Sequence, residues 1–134
     1  MAAKILIADD EADVVETVRF RLESEGFEVV TAVNGLEALG AARVHQPDLV
    51  ILDVMMPGEN GYRVARMLRE DQEAGVYEET LRILLLTARD LRKDPEREKT
   101  LMEFSGADRA IYKPFELDDL VEAVHGLLSL GASD

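Results

Sequence analysis

Residues able to bind a metal or a phosphate recur in this sequence where apolar runs stop. Asp9-Asp10-Glu11 follows the run Lys4 to Ala8, Asp53 closes Asp48 to Asp53, Thr87 closes Arg82 to Thr87, and Lys113 follows Arg109 to Tyr112. Carboxylates brought together repel, and near neutral pH they either take up a proton or recruit a cation. A hard divalent ion resolves that conflict. Magnesium suits it, because it accepts one or two carboxylates and keeps further positions for waters and a phosphate oxygen. No twelve-residue D-x-D-x-D-G loop is present, which argues against a dedicated calcium site. Each residue alone has an ordinary account. Asp9 and Asp10 suit a helix N-terminus, Asp53 a turn before Met56-Pro57-Gly58, Thr87 the end of a strand, and Lys113 a solvated surface. Their joint placement is what points to a site.

The elements that must position them follow from periodicity. Strand-length runs at Lys4–Ala8, Phe27–Ala32, Asp48–Asp53, Arg82–Thr87 and Arg109–Tyr112 predict five strands. Between and after them, apolar stripes at helical spacing predict five helices. These are Glu11–Glu25 (Val14, Val15, Val18, Leu22), Asn34–His45 (Leu36, Leu39, Ala42), Gly61–Glu73 (Val64, Ala65, Leu68), Pro95–Phe104 (Leu101, Met102) and Glu116–Leu130 (Leu117, Leu120, Val121, Val124, Leu128). Strict alternation with near-continuous apolar strands argues for a doubly wound α/β domain, a parallel sheet covered on both faces. In such a sheet ligands sit beyond the carboxyl ends of the strands, where the acids, Thr87 and Lys113 fall. Gly26, Gly35, Gly61 and Gly106 lie at junctions, and Pro47 and Pro114 mark the entry to the third strand and the exit from the fifth.

At 134 residues one domain is expected, and there is no cysteine, which excludes disulfides, thiolate catalysis and cysteine-zinc sites. The 28 acids against 15 bases leave a net charge of -13, which disfavours direct contact with nucleic acid. Only four apolar residues, Ile5 to Ala8, precede the first acids. Neither a signal peptide nor a membrane span is therefore expected, and the cytoplasm is the expected compartment. Residues 131–134 read as a short tail after a domain spanning 1–130, with no room for an output domain. A stand-alone domain or a piece of a larger regulator is expected.

Taken in order, Lys4-Ile-Leu-Ile-Ala-Asp-Asp-Glu11, Pro47-Asp-Leu-Val-Ile-Leu-Asp-Val-Met-Met-Pro-Gly58 with Gly61, Leu84-Leu-Leu-Thr-Ala88, and Gly106-Ala-Asp108 leading to Lys113-Pro-Phe115 resemble the receiver domain of bacterial two-component response regulators. The likeness covers essentially the whole chain and is closest in kind to single-domain, chemotaxis-type regulators. It implies a flavodoxin-like five-stranded sheet in the order 2-1-3-4-5. It also implies a phosphoprotein in a phosphorelay, assisting its own phosphorylation and dephosphorylation without being an enzyme in the usual sense.

By the same resemblance, Asp53 would accept a phosphoryl group from a sensor histidine kinase, a phosphotransfer protein or a small phosphodonor. Mg2+ would be bound by Asp10, Asp53 and the main-chain carbonyl of Met55, with Asp9 acting mainly through water. Thr87 and Lys113 would each engage a phosphoryl oxygen, and the Lys113–Pro114 bond would be cis. These roles are chemically reasonable, since a carboxylate is a competent nucleophile and phosphoryl transfer asks chiefly for positioning and positive charge. The output would be a changed surface of the fourth helix, fifth strand and fifth helix, which would meet a downstream protein or form a homodimer.

The sequence departs from the family's pattern at Ala110, where an aromatic switch residue is usual three positions before the lysine. Tyr112 shares its strand parity but is displaced by about 6 to 7 Å, which favours a packing role over a substitute switch. The charged segment Leu91–Lys99 and the roomy Glu73–Leu81 are candidate partner-reading loops or solvated excursions. Met55 and Arg89 flank the site at positions that in the family tune the lifetime of the acyl phosphate. His45 and His125 read as surface or boundary residues. A flavin binder would want a glycine- and hydroxyl-rich turn where Asp9-Asp10-Glu11 stands. An aspartyl phosphatase would want a second acid at Met55. The main alternative is a receiver-like interaction module that works without phosphorylation.

Overall fold

The computed structural model describes residues 2–56, 58–88 and 94–129. Arg89, residues 91–93 of the charged segment, Pro57, Leu130 and the tail 131–134 lie outside them. The strands are β1 (Lys4–Ala8), β2 (Glu28–Ala32), β3 (Leu49–Asp53), β4 (Arg82–Ala88) and β5 (Arg109–Lys113). The helices are α1 (Ala12–Ser24), α2 (Gly35–His45), α3 (Gly61–Glu73), α4 (Pro95–Ser105) and α5 (Leu117–Ser129). All strands pair in parallel in the order β2-β1-β3-β4-β5, as the resemblance implied.

Strand alternation sends successive side chains to two separate cores. Leu6, Ala8, Val50, Leu52, Ile83 and Leu85 pack against α2 and α3, with Leu101 and Met102 of α4 partly buried beside them. Ile5, Ile7, Leu49, Ile51, Leu84 and Leu86 pack against α1 and α5. All five residues of β3 are buried, which is why its sequence shows an unbroken apolar run rather than alternation.

Element ends differ from expectation by about a residue, for local reasons. Phe27 belongs to the turn, its N–H donating to the Leu22 carbonyl, so β2 starts at Glu28. Asn34 is the N-cap of α2, accepting from the Glu37 N–H at 2.8 Å, and Asp94 caps α4 by accepting from Arg97 N–H at 3.1 Å. One stripe residue is misplaced: Leu36 is 79% exposed, and α2 instead buries Gly35, Ala38 and Ala42. The cause is close approach, because a Cβ at Gly35 would lie 2.6 Å from Val64 Cγ2 of α3. Small residues let these helices meet, and leucine is turned outward. The Glu73–Leu81 stretch is mostly exposed but is anchored at two points and by Gln46. Tyr77 and Leu81 are buried, and the Gln46 side chain donates to the Val76 carbonyl and accepts from the Glu78 N–H. Among the described residues, no helix is long and apolar enough to cross a membrane.

Arg69 of α3 fixes where β4 and β5 enter the sheet. Its guanidinium donates to the carbonyls of Gly106 (2.8 Å) and Leu81 (2.7 Å), to Gln72 Oε1 (2.9 Å) and to Asp108 Oδ2 (2.7 Å). Asp108 Oδ2 also accepts from the Ile83 N–H at 2.8 Å. A planar fork with five donors can hold carbonyls and a carboxylate together in this way, and a lysine cannot. Arg69→Leu is expected to lower stability by about 2–4 kcal/mol, since it strands a partly buried carboxylate and two carbonyls. Urea unfolding checks this, as a lowered midpoint with an unchanged slope.

Candidate functional site

Because the strands are parallel, their carboxyl ends share one edge of the sheet. The register then decides which residues meet. Ala8 pairs with Leu52, so Asp9 and Asp53 emerge side by side from the neighbouring central strands β1 and β3. Asp53 pairs in turn with Leu86, Thr87 with Tyr112, and Ala88 with Lys113. The chain direction of the sheet reverses its winding between β1 and β3, the place where such folds open a crevice for ligands.

The carboxylate oxygens of Asp9, Asp10 and Asp53 lie within 4.8 Å of one another. Asp9 is fully buried and Asp53 is 2% exposed, while Asp10 is open to solvent. Asp9 Oδ1 accepts from the Glu11 N–H (2.9 Å) and Asp53 Oδ1 from the Met55 N–H (3.0 Å). Each carboxylate is thus oriented by the turn that follows its own strand. Lys113 Nζ donates to Asp9 Oδ2 (3.0 Å), Glu11 Oε1 (3.1 Å) and Asp53 Oδ2 (3.2 Å), which uses all three of its protons. The Lys113–Pro114 bond is cis.

One ammonium therefore serves three carboxylates. Burial pushes the Asp53 carboxyl up, as does the charge of Asp9. The Met55 N–H and Lys113 pull it down but do not overcome the rise. For Lys113, burial opposes the charged form, yet the hydrogen bond to Asp9, the charge of Asp53 and the hydrogen bond to Glu11 hold it well above the ordinary lysine value. The pocket is short of positive charge and rich in oxygen ligands, the setting in which a hard divalent ion binds. The three acids fit magnesium: two are held in place by backbone donors, and the third, Asp10, is open toward a recess formed with Met55, Gly58 and Asn60. A cleft of about 850 Å³ opens beside Asp53 and Lys113, walled by Val14 and Val18 of α1 and by Phe115 and Leu117 after β5.

The sequence-predicted residues fall unevenly around this point. Asp9, Asp10, Asp53 and Lys113 meet, and the Met55 backbone joins them while its side chain is 70% exposed. Thr87 is buried but makes no hydrogen bond to Asp53 among the described residues. Its Oγ1 lies 2.9 Å from the Tyr62 hydroxyl. Ala110 pairs with Leu85 and packs on the core beneath α3 and α4, and Tyr112 lies alongside Thr87 in the neighbouring strand. His45 and His125 stand apart on exposed surface, His125 against Glu25 and the Phe27 ring.

The roles of two contributors were not legible in the sequence. Glu11 ends the acidic triplet, yet only the fold shows it sharing Lys113. Tyr62 sits one residue inside α3 with its ring 6% exposed. The available signal was chemical, since a tyrosine within an apolar helix face must find a partner for its hydroxyl. Gly61 has a sharper role than a junction. A Cβ there would lie 2.4 Å from Val54 Cα and 2.6 Å from the Asp53 carbonyl oxygen, so α3 begins in contact with the backbone of Asp53.

A family model described as the response regulator receiver domain matches residues 5–125. Among solved structures, the chemotaxis response regulator CheY4 of Vibrio cholerae aligns with a TM-score of 0.82 at 30% identity, covering 95% of this chain and 99% of that one. A putative response regulator from Chloroflexus aurantiacus aligns at 0.81 and 33% identity, covering 96% and 99%. The signal receiver domain of a signal transduction histidine kinase from Syntrophus aciditrophicus aligns at 0.81 and 34%, covering 96% and 91%. With the acidic pocket at the carboxyl edge of a 2-1-3-4-5 sheet, these matches show that the chain belongs to the response regulator receiver domain family of two-component signalling.

Proposed function

We propose that the chain is a phosphoacceptor switch in which Asp53 takes a phosphoryl group and passes the event to a protein partner as a change of surface. The observation that carries this reading is the buried Asp53 carboxylate, oriented by the Met55 N–H, bonded to Lys113 and faced by Asp9 and Asp10. The donor would be a phosphohistidine of a sensor kinase or phosphotransfer protein, or a small acyl phosphate. A carboxylate oxygen of Asp53 attacks phosphorus, and the P–N bond of the phosphohistidine breaks with its electron pair on the departing nitrogen. The imidazole leaves neutral, carrying its proton on the other nitrogen. Water later cleaves the acyl phosphate, returning the carboxylate and inorganic phosphate.

The protein's part is positioning and charge. Lys113 exchanges a carboxylate for a phosphoryl oxygen without leaving its place, as a point charge with rotatable donors can. Thr87 supplies a hydroxyl to another oxygen. Asp10, Asp53 and the Met55 carbonyl would hold Mg2+, with Asp9 acting through water. When bound, that ion supplies positive charge against the phosphoryl oxygens and the crowded carboxylates. The cleft between α1 and the β5–α5 turn gives the donor access to Asp53. Output through α4, β5 and α5, to a partner or to a second copy, completes the reading, with residues 1–130 as the receiver domain and the cytoplasm as its place. The net charge of -13 supports a protein partner over nucleic acid. Ala110, standing where the family's aromatic would be, favours one second reading, an interaction module that binds its partner whether or not Asp53 is modified.

Incubation with acetyl phosphate and Mg2+, read by rapidly quenched intact-mass measurement, is expected to add one phosphoryl group to the wild type. Asp53→Asn and excess chelator should each abolish the gain. Partner binding indifferent to Asp53→Asn would instead establish the second reading. Mg2+ at ten times its Kd is expected to raise stability by about 1.4 kcal/mol, an effect lost in Asp10→Asn. In chelator, Lys113→Met is expected to destabilise the fold by about 1–3 kcal/mol near neutral pH, the partial exposure of the lysine having been discounted. The sign with pH follows from Asp53. Its native carboxyl is raised, so its contribution to stability is fully present below the ordinary aspartate value and is lost as pH rises through the raised one. The Lys113→Met loss should therefore shrink on acidification, as followed by urea midpoints across pH.

A further inference from the structure

Thr87 is 2% exposed and Tyr62 is 6% exposed, and each satisfies the other's hydroxyl at 2.9 Å. The tyrosine cannot readily follow its partner. Its N–H donates to Asn60 Oδ1 at 2.8 Å, the Gly61 N–H donates to the Val54 carbonyl at 3.1 Å, and Gly61 is wedged against Asp53 and Val54. The first turn of α3 is thus fastened to the backbone of the proposed phosphoacceptor, and the buried ring leaves its hydroxyl little travel. α4 packs against the same apolar cluster as the Tyr62 ring, through Leu101 and Met102. Burial raises the Tyr62 phenol above its ordinary value, and among the charges that act on it are those of Glu98 and Arg97. On the same face of the sheet β5 presents Ala110, packed among residues of α3 and α4, and Tyr112, which pairs with Thr87.

We propose that Tyr62 holds Thr87 in the resting state and must release it when Asp53 carries a phosphoryl group, so that α3 couples the site to α4. This rests on the reading of Asp53 as phosphoacceptor and of Thr87 as a phosphoryl-oxygen donor. Either hydroxyl can be the donor in this bond, and in either case carrying Thr87 Oγ1 inward toward a phosphoryl oxygen draws it away from a fixed phenol. The vacated phenol, buried and newly without its partner, must then find another acceptor or donor. Leu101 and Met102 of α4 pack against the cluster that holds the ring, so the demand falls on the contact between α3 and α4. Tyr62 is a positioning residue in this scheme. It touches Thr87 and not the reacting atoms.

Beryllofluoride, which mimics a phosphoryl group on aspartate, provides the test. In Tyr62→Phe the resting state loses the bond that opposes Thr87 moving inward, so the apparent affinity for beryllofluoride in Mg2+ should tighten by about 2- to 10-fold, the worth of one net hydrogen bond. In wild-type protein with ¹³Cζ-labelled tyrosine, only Tyr62, Tyr77 and Tyr112 give signals. The Tyr62 resonance, assigned with the three single phenylalanine variants, should shift on complex formation. An unchanged or weaker affinity in Tyr62→Phe, or a Tyr62 resonance that stays in place in the wild-type complex, overturns the proposal. The second readout needs no folded Tyr62 variant to be decisive, because Tyr77→Phe and Tyr112→Phe assign the remaining signal. A wild type that forms no complex would sink the phosphoacceptor reading and this inference with it. A complex with a silent Tyr62 sinks the inference alone.

Discussion

Two carboxylates with almost no solvent exposure, Asp9 and Asp53, sit side by side at the end of neighbouring strands, and the rest of the site is arranged around that repulsion. Water cannot offset their charge, so the fold must. It does so partly with backbone, through the N–H groups of Glu11 and Met55, and partly with Lys113. The lysine comes from β5, two strands from β3 and so about 10 Å away across the sheet. Only a long flexible side chain at the end of that strand reaches both acids. Glu11 takes the third proton of the ammonium, so the resting pocket is still deficient in positive charge. A divalent ion, or a phosphoryl group with such an ion, fits an environment in that condition.

Holding like charges together requires a rigid frame, and the frame is built by close backbone approach rather than by large side chains. Gly61 brings α3 against Asp53 and Val54, and Gly35 brings α2 against Val64 of the same helix. Arg69, farther along α3, gathers the entry to β4 and the α4–β5 turn. One helix is therefore fastened at its start to the acidic edge and at its middle to the opposite edge of the sheet. A displacement at Asp53 or Thr87 bears directly on the start of α3, through Gly61 and Tyr62. This gives mechanical sense to a coupling through Tyr62 in a chain whose β5 carries alanine at the usual aromatic position. The two-sided core of fully buried Leu, Ile and Val residues, each contributing about 1.5–3 kcal/mol, lets the edge hold such an unfavourable cluster.

The alternation of apolar runs and helical stripes determined the elements, the parallel sheet and the edge at which the acids lie, because those periodicities are properties of the local chain. Asp9, Asp10, Asp53 and Lys113 were legible for a related reason: strand ends in a parallel sheet share one side, so position along the chain already implies proximity. Helix faces were less secure. Leu36 satisfied the period of α2 yet lies outside, since which side a helix buries depends on how near its neighbour comes, and small residues at 35, 38 and 42 set that distance. The Thr87–Tyr62 bond joins residues 25 apart, and the Lys113 contacts to Asp9 and Glu11 join residues about a hundred apart. No local pattern encodes such pairs. They arise where register and packing bring one hydroxyl or one ammonium within reach of another group, and that is decided only when the whole sheet and its helices have closed.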